Sequence, residues 1–208
     1  MEKILVIGGG GHAKVLMEAI RLSGTYDLAG ILDDRLEAGT AVAGVSVLGG
    51  DELISSLWEV GIRNACIGIG SVRDNGKRSM LYGKVKSLGY SMPAIIHPRS
   101  VFSSEVSLSA AVQVMAGAII QAGVFIGENT IINTGSIIEH DCIIGSHVHA
   151  ASGVVMAGGC VLGDGVFVGA GAVIKQGIRI GDAAVVAAGA VVIDDVAAGA
   201  VVKGVPAK

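Results

Sequence analysis

Two hydrophobic rhythms divide the 208-residue chain. Over residues 1–92 short apolar runs alternate with helical spacings. Ile4–Ile7 reads as a buried strand, glycines 8–11 as a turn, and Val15, Leu16, Ala19 and Ile20 as one face of a helix over 13–22. Leu28–Leu32 predicts a second strand, closed by Asp33-Asp34. A helix over 52–59, a third strand over 65–69 and a last helix with a basic outer face over 75–88 complete the set. Strand–helix–strand order implies a small parallel α/β domain.

After Pro93 and Pro98 the rhythm changes. Every sixth residue from Val106 to Val196 is small or β-branched, as in Val112, Ala118, Thr130, Ser136, Cys142, Val154, Ala172 and Ala190. A second apolar column follows two positions behind, from Leu108 through Ile120, Ile138 and Met156 to Ala198. This predicts sixteen hexads in unbroken register. Each hexad is one short strand and a corner, and three close an 18-residue triangular coil. Both columns face inward, and the residue between them, such as Ile131 or His149, faces out because strand side chains alternate. Glycines just before the first column, among them Gly117, Gly135 and Gly159, belong at corners where positive φ suits them. Residues 93–208 are therefore expected to form a parallel β-helix, its coils stacked about 4.8 Å apart.

Composition agrees: 51% of residues are hydrophobic but only 3% aromatic, and glycine reaches 33, as a core of small stacked side chains requires. A net charge of −3 gives no footing for nucleic acid. No uninterrupted apolar stretch approaches the roughly 20 residues of a membrane helix, and residues 3–7 are too short for a signal-peptide core. A soluble cytoplasmic protein is expected. Cys66, Cys142 and Cys160 make no disulfide framework. The last two, stacked one coil apart, read as core residues and not as nucleophiles.

Candidate chemistry concentrates at a few positions. His140 and Asp141 occupy corner positions of one hexad, where side chains reach solvent or a neighbouring subunit. An imidazole takes protons near neutrality, and an adjacent carboxylate can hold its tautomer. Spacing alone gives equal weight to a plain solvated corner. His149 and, one coil on, Phe167 predict a His–Phe pair on the outer wall, whereas His147 reads as plain corner or trimer-contact chemistry. Lys and Arg are missing from Val106 to Ile174 and return at Lys175, Arg179, Lys203 and Lys208, a distribution suited to a phosphate-bearing ligand or simply to solubility. In the front domain, Gly8-x-Gly10-x-x-Ala13 between strand and helix, with Asp33 some way on, satisfies the dinucleotide fingerprint in form. Bottom-up it implies only a phosphate or ribose at the helix N-terminus, because three strands are few for a full dinucleotide site.

The hexads, the start Ile-Gly-Gly-Gly-Gly-His-Ala (7–13), the run Asn-Thr-Gly-Ser-Ile-Ile-Glu-His-Asp-Cys (133–142) and the ending Gly-Val-Pro-Ala-Lys (204–208) together resemble the left-handed β-helix acetyltransferases of the nucleotide-sugar N-acetyltransferase and sialic acid O-acetyltransferase (NeuD/PglD-like) group. The resemblance covers the whole chain. It implies a left-handed β-helix behind a small Rossmann-like domain, acetyl-CoA as cosubstrate, and a homotrimer with its sites in clefts between subunits. The implied acceptor is the amino group of a UDP-linked amino-deoxysugar, with a sugar or sialic acid hydroxyl as the alternative. His140 matches the general base and Asp141 the acid behind it, although Asp stands where the longer Glu is often found, which leaves its reach open. His149 and the backbone at Ala170 and Ala188 match acetyl-CoA contacts, and Lys175 and Arg179 would then lie near the CoA phosphates, with Phe167 beside the pantetheine arm. Gly10, Gly11, His12, Asp33, Asp34 and Gly49 match the UDP-sugar site, and Asn133 is a further acceptor contact. Some β-helix relatives bind zinc through three histidines, but the spacings of His140, His147 and His149 do not follow the coil period, so no metal is expected. A non-catalytic scaffold is the remaining alternative.

Overall fold

The computed structural model describes residues 1–71 and 74–208. The front domain runs β1 (Glu2–Ile7), α1 (Gly11–Ser23), β2 (Tyr26–Leu32), β3 (Ala41–Val42), β4 (Val45–Gly49), α2 (Ile54–Glu59), β5 (Asn64–Ile67) and α3 (Gly76–Ser87). Its strands order as β3-β4-β2-β1-β5 in a five-stranded sheet. All pairings are parallel except the β3–β4 hairpin. Alternation along β1 explains the layers. Ile4 and Val6 pack with Leu16, Met17 and Ile20 of α1, while Leu5 and Ile7 pack with Ile54 of α2 and Leu81 and Val85 of α3.

The sheet has two more strands than the sequence pattern predicts, because the β3–β4 turn carries no obvious signal. Ala43 and Gly44 both adopt positive φ, 47° and 77°, as a two-residue hairpin turn requires, but Ala stands where Asn or Asp usually announces such a turn. β5 also ends two positions early, leaving Gly68–Ser71 as a loop.

Behind this domain the chain winds into a triangular prism. Its three faces are parallel sheets of seven, six and five strands, formed by coils that pair at an eighteen-residue offset, such as Ile119 with Ile137 and Ile137 with Val155. Strands at Ile95–Ile96 and Val101–Phe102 precede the predicted hexads and join the same ladders. The inward columns form one continuous buried core from Val112 to Val196. Gly117, Gly135 and Gly159 take φ values of 70°, 68° and 67° at their corners, and Asn129, Asp141 and His147 hold the same left-handed geometry at 56°, 59° and 59°.

The register is not unbroken. The last predicted hexad, Val196 and Ala198, slips by two residues: Val196 pairs with Ile180, Val201 with Val185, and Ala198 is exposed. Asp195 makes the shortcut by accepting the N–H of Arg179 at 2.8 Å. Val196 suits either inward column, so composition could not reveal the slip.

The two units share their cores. Ile95 and Met115 of the prism pack into the α1 layer, and Ala111 into the α2/α3 layer. The outer face of α3 is basic, at Lys77, Lys84 and Lys86, but Arg78 turns inward and is 2% exposed. Its guanidinium donates to the carbonyls of Ile67 at the end of β5, of Ile69 just beyond it and of Asn129 on the prism. One buried cation thus ties the loop after β5 to the prism. Burial lowers its pKa to about 9.

Candidate active site

His140 and Asp141 lie at the corner between the six-strand face, through Ile137–Ile138, and the five-strand face, through Ile143–Ile144. Asp141 takes the corner's left-handed φ of 59°, which Asp tolerates better than most residues. This turns its carboxylate back on the preceding ring: His140 Nδ1 donates to Asp141 Oδ2 at 2.8 Å. The shorter acid therefore reaches. The proton on Nδ1 leaves Nε2 bare as the basic nitrogen, and the Asp141 hydrogen bond holds the imidazole pKa above its ordinary value. Side-chain exposures of 55% and 74% leave the pair open to a reactant. Its packing depends on absent side chains. A Cβ on Gly158, one coil further on, would lie 2.6 Å from Cε1 and Nε2 of His140, and one on Gly123, one coil before, 2.6 Å from Asp141 Oδ1.

The front domain carries a cavity of about 310 Å³ lined by Gly8, Gly10, Gly11, His12, Asp33 and Asp34, with Arg35, Asp51, Gly68–Gly70 and Lys77 completing the wall. α1 starts at Gly11 with no side-chain cap and no acid in its first turn, so its N-terminal amides remain for an anion. Asp33 is partly committed: Oδ2 accepts the N–H of Gly9 at 2.7 Å and Oδ1 that of Arg35 at 2.9 Å. Asp34 Oδ1 accepts the N–H of Asp51 at 2.8 Å. Burial, then the nearby Asp34 charge, raises the Asp51 pKa. Gly49 stands behind this wall, its carbonyl accepting the N–H of Asp33 at 2.9 Å. Arg35, Asp51 and Lys77 were not anticipated. Arg35 adjoins the Asp33-Asp34 pair, which was the available clue; Lys77 and Asp51 come from elements whose placement only the fold reveals.

A second cavity, of about 410 Å³, opens where the front domain meets the seven-strand face, between Gly11, His12, Gly70 and Ser71 on one side and Asn133, Thr134, His149 and Ser152 on the other. His149 points out of the prism, yet it is no open wall residue: it is 6% exposed. Its Nδ1 lies 3.0 Å from the carbonyl oxygen and 2.8 Å from Oγ of Ser71, and its Nε2 3.2 Å from Asn133 Nδ2. Asn133 Oδ1 accepts the N–H of Thr134 at 2.8 Å, so its amide nitrogen faces the imidazole. His149 therefore carries its proton on Nδ1. Burial lowers its pKa to about 4. Phe167 meets the ring edge-on, centroids 5.5 Å apart, so the predicted pair forms with its polar tip already engaged. His147 is likewise no free corner: it packs edge-on against Tyr82 of α3, centroids 5.5 Å apart, and accepts from Asn129 Nδ2.

The other predicted residues divide between two corners. Ala170 and Ala188 are exposed on the corner that Asn133 and Ser152 share. Lys175 and Arg179 are exposed on the side of His140, at the corner leading into the five-strand face and on that face. Within one chain the His140 corner is the apex opposite the seven-strand face and its cavities. His140, His147 and His149 thus occupy the apex, the corner between the five- and seven-strand faces, and the seven-strand face itself, and among the described residues no three His, Cys, Asp or Glu side chains gather as a metal site. Cys142 and Cys160 are buried free thiols within the prism. Among the described residues no helix is long and apolar enough to cross a membrane.

A glycine-looped α/β unit followed by an eighteen-residue parallel coil is the architecture of the left-handed β-helix acyltransferases. The PglD N-terminal domain model matches residues 3–85, and the bacterial transferase hexapeptide (six repeats) model residues 159–194. Perosamine N-acetyltransferase from Caulobacter crescentus, solved with CoA and GDP-perosamine as a single-histidine variant, is 38% identical with a TM-score of 0.95, covering 100% of this chain and 96% of that one. The acetyltransferase domain of PglB from Neisseria gonorrhoeae, solved with acetyl coenzyme A, is 33% identical at a TM-score of 0.92, covering 100% and 98%. WeeI from Acinetobacter baumannii is 28% identical at 0.87, covering 100% and 99%. No curated protein matches significantly. The chain belongs to the PglD/NeuD-like family of hexapeptide-repeat sugar N-acetyltransferases, and it is an acetyltransferase.

Proposed function

We propose that this enzyme moves the acetyl group of acetyl-CoA to the amino group of a nucleoside-diphosphate-linked amino-deoxysugar. The observation that carries the mechanism is the 2.8 Å His140–Asp141 bond, which leaves Nε2 bare at an exposed corner. Nε2 removes a proton as the amine nitrogen attacks the thioester carbonyl. The C–O π pair moves onto oxygen, where backbone N–H groups stabilise it. As the tetrahedral adduct collapses the C–S bond breaks, and the imidazolium returns its proton to the CoA thiolate. Asp141 stabilises the imidazolium between these steps. Transfer is direct, since both candidate thiols lie in the core.

Residues 1–92 hold the nucleotide, with the diphosphate at the start of α1 near Arg35 and Lys77, and residues 93–208 carry acetyl-CoA and the chemistry. Ala170 and Ala188, exposed at their corner, accept the pantetheine arm beside the cavity that His149 lines with Phe167 packed behind it, and Lys175 and Arg179 accept the CoA phosphates. The similar enzyme solved with GDP-perosamine supports a GDP-linked sugar as a candidate beside the UDP-linked one expected from sequence. What supports a homotrimer is the division of these residues between two corners. The face between them shows only aliphatic side chains outward, Val101, Ile119, Ile137, Val155, Val173 and Val191, and packing it against a neighbour would bring one copy's His140 to another copy's cavity.

The test is thiol release from acetyl-CoA with GDP-perosamine and with UDP-linked 4-amino sugars, the product identified by mass. Co-assembling His140→Ala chains with chains blocked at the cavity by Gly70→Trp should recover activity that neither has alone. Failure to transfer to any of these amines would refute the assignment, and failure to complement would refute the shared site.

A further inference from the structure

Gln113 is an anomaly on the seven-strand face. It holds an outward position in a column that continues with Ile131, His149, Phe167 and Val185, yet it is a polar side chain 1% exposed. Its amide bridges the two domains. Nε2 donates to the carbonyl oxygen of Ile67, at the end of β5, at 2.9 Å. Oε1 lies 2.7 Å from His12 Nε2. A carbonyl oxygen cannot donate, so the bond to Ile67 fixes which way the amide faces and presents its oxygen to His12. His12 must therefore carry its proton on Nε2. Burial, followed by the nearby Arg78 charge, lowers the His12 pKa to about 4, so the ring is neutral and its Nδ1 is a bare acceptor. No described residue hydrogen-bonds to that nitrogen.

His12 also stands at a junction. It lines both the glycine-loop cavity and the cavity against the prism, and the other residues common to the two are Gly11 and Gly70. A Cβ on Gly70 would come within 3.2 Å of the His12 Cβ, so the passage is glycine-walled and His12 is its one functional side chain. A phosphate needs a donor, and the one N–H of this ring is already given to Gln113. This one is held neutral beside a buried guanidinium and accepts.

We infer that Gln113 is a positioning residue that locks His12 as the Nε2–H tautomer, so that Nδ1 accepts a hydrogen bond from a hydroxyl of the sugar as the nucleotide sugar passes from one cavity into the other. The inference rests on the proposed nucleotide-sugar reading and adds a determinant that reads the sugar and not the diphosphate.

Imidazole 15N spectra of the full chain test the tautomer directly: Nε2 should be protonated and Nδ1 bare from neutrality down to about pH 5, given the lowered pKa. Calorimetry then compares GDP with GDP-perosamine, and UDP with a UDP-linked 4-amino sugar. Gln113→Met should mix the tautomers and weaken the nucleotide sugar about tenfold, the worth of a lost buried hydrogen bond, while changing the free nucleotide less than about twofold. Gln113→Glu keeps the side-chain size and favours the imidazolium, so it should weaken the sugar-bearing ligand while tightening the free diphosphate. A native His12 protonated on Nδ1, or a Gln113→Met loss equal for both ligands, overturns the inference. So does nucleotide-sugar binding no tighter than the free nucleotide. If the nucleotide sugar binds but no acetyl group moves, the proposed reaction fails while the binding comparison still decides the role of Gln113.

Discussion

His140 and His149 lie half a coil apart in sequence but in opposite surroundings. At the apex His140 is exposed, and a carboxylate on its own corner holds its pKa up. On the covered face His149 is sealed under Ser71, and burial drives its pKa to about 4. His12 meets the same fate against Gln113. One side chain thus serves two purposes: an imidazole kept wet beside an anion exchanges protons near neutrality, whereas a buried one is a fixed dipole whose tautomer is set by its partners. In the proposed mechanism the base belongs to the apex and recognition to the face.

The largest effect expected of this contrast is on turnover. His140→Ala should lower kcat about 1000-fold with unchanged circular dichroism, whereas His149→Gln should leave most of kcat and act chiefly on KM; comparable kcat losses would erase the distinction. Next is acid stability. The folded pKa values of His12 and His149, about 4, lie below the ordinary 6.5, so the unfolded chain takes up protons first. Their contribution is complete above pH 6.5 and drains away as pH falls towards 4. Urea midpoints should decline across that window, by about 2 kcal/mol or more of unfolding free energy, and a His12→Gln, His149→Gln double variant should flatten the slope. The smallest effect is a displaced pH profile. The proposed mechanism needs neutral His140, so the rate should fall as pH drops below its raised pKa. Asp141→Asn removes the cause of the rise; the acidic limb of kcat/KM should move to lower pH while the plateau falls about tenfold. An unmoved limb would detach Asp141 from the base.

Much of this was readable because the prism repeats. A hexad that returns sixteen times over gives the inward columns, the corners and the place of His140 and Asp141. Where the repeat is satisfied by more than one register, as at Val196, it says nothing. It also cannot reveal what lies on top of an outward residue, which is why His149 reads as open wall while Ser71 covers it. Arg78 shows the same limit. Helical spacing places it on a basic α3, and only the docking of that helix shows three carbonyls waiting for it. The second cavity was legible only in pieces: Gly11, His12, Asn133 and His149 each stand out in the sequence, but they come from segments distant in the chain and only the docking of the two units gathers them.

The shortened final coil bears on how these molecules behave in a crowded solution. A stack of parallel rungs offers unpaired amides and carbonyls at its last rung, a template on which further strands could add without limit. Here residues 203–208 fold back over that rung: Ala207 donates to the carbonyl of Val191, and Val191 donates to Gly204. On the six-strand face the last rung is thereby covered, and a further strand adding there is denied the hydrogen bonds it would need.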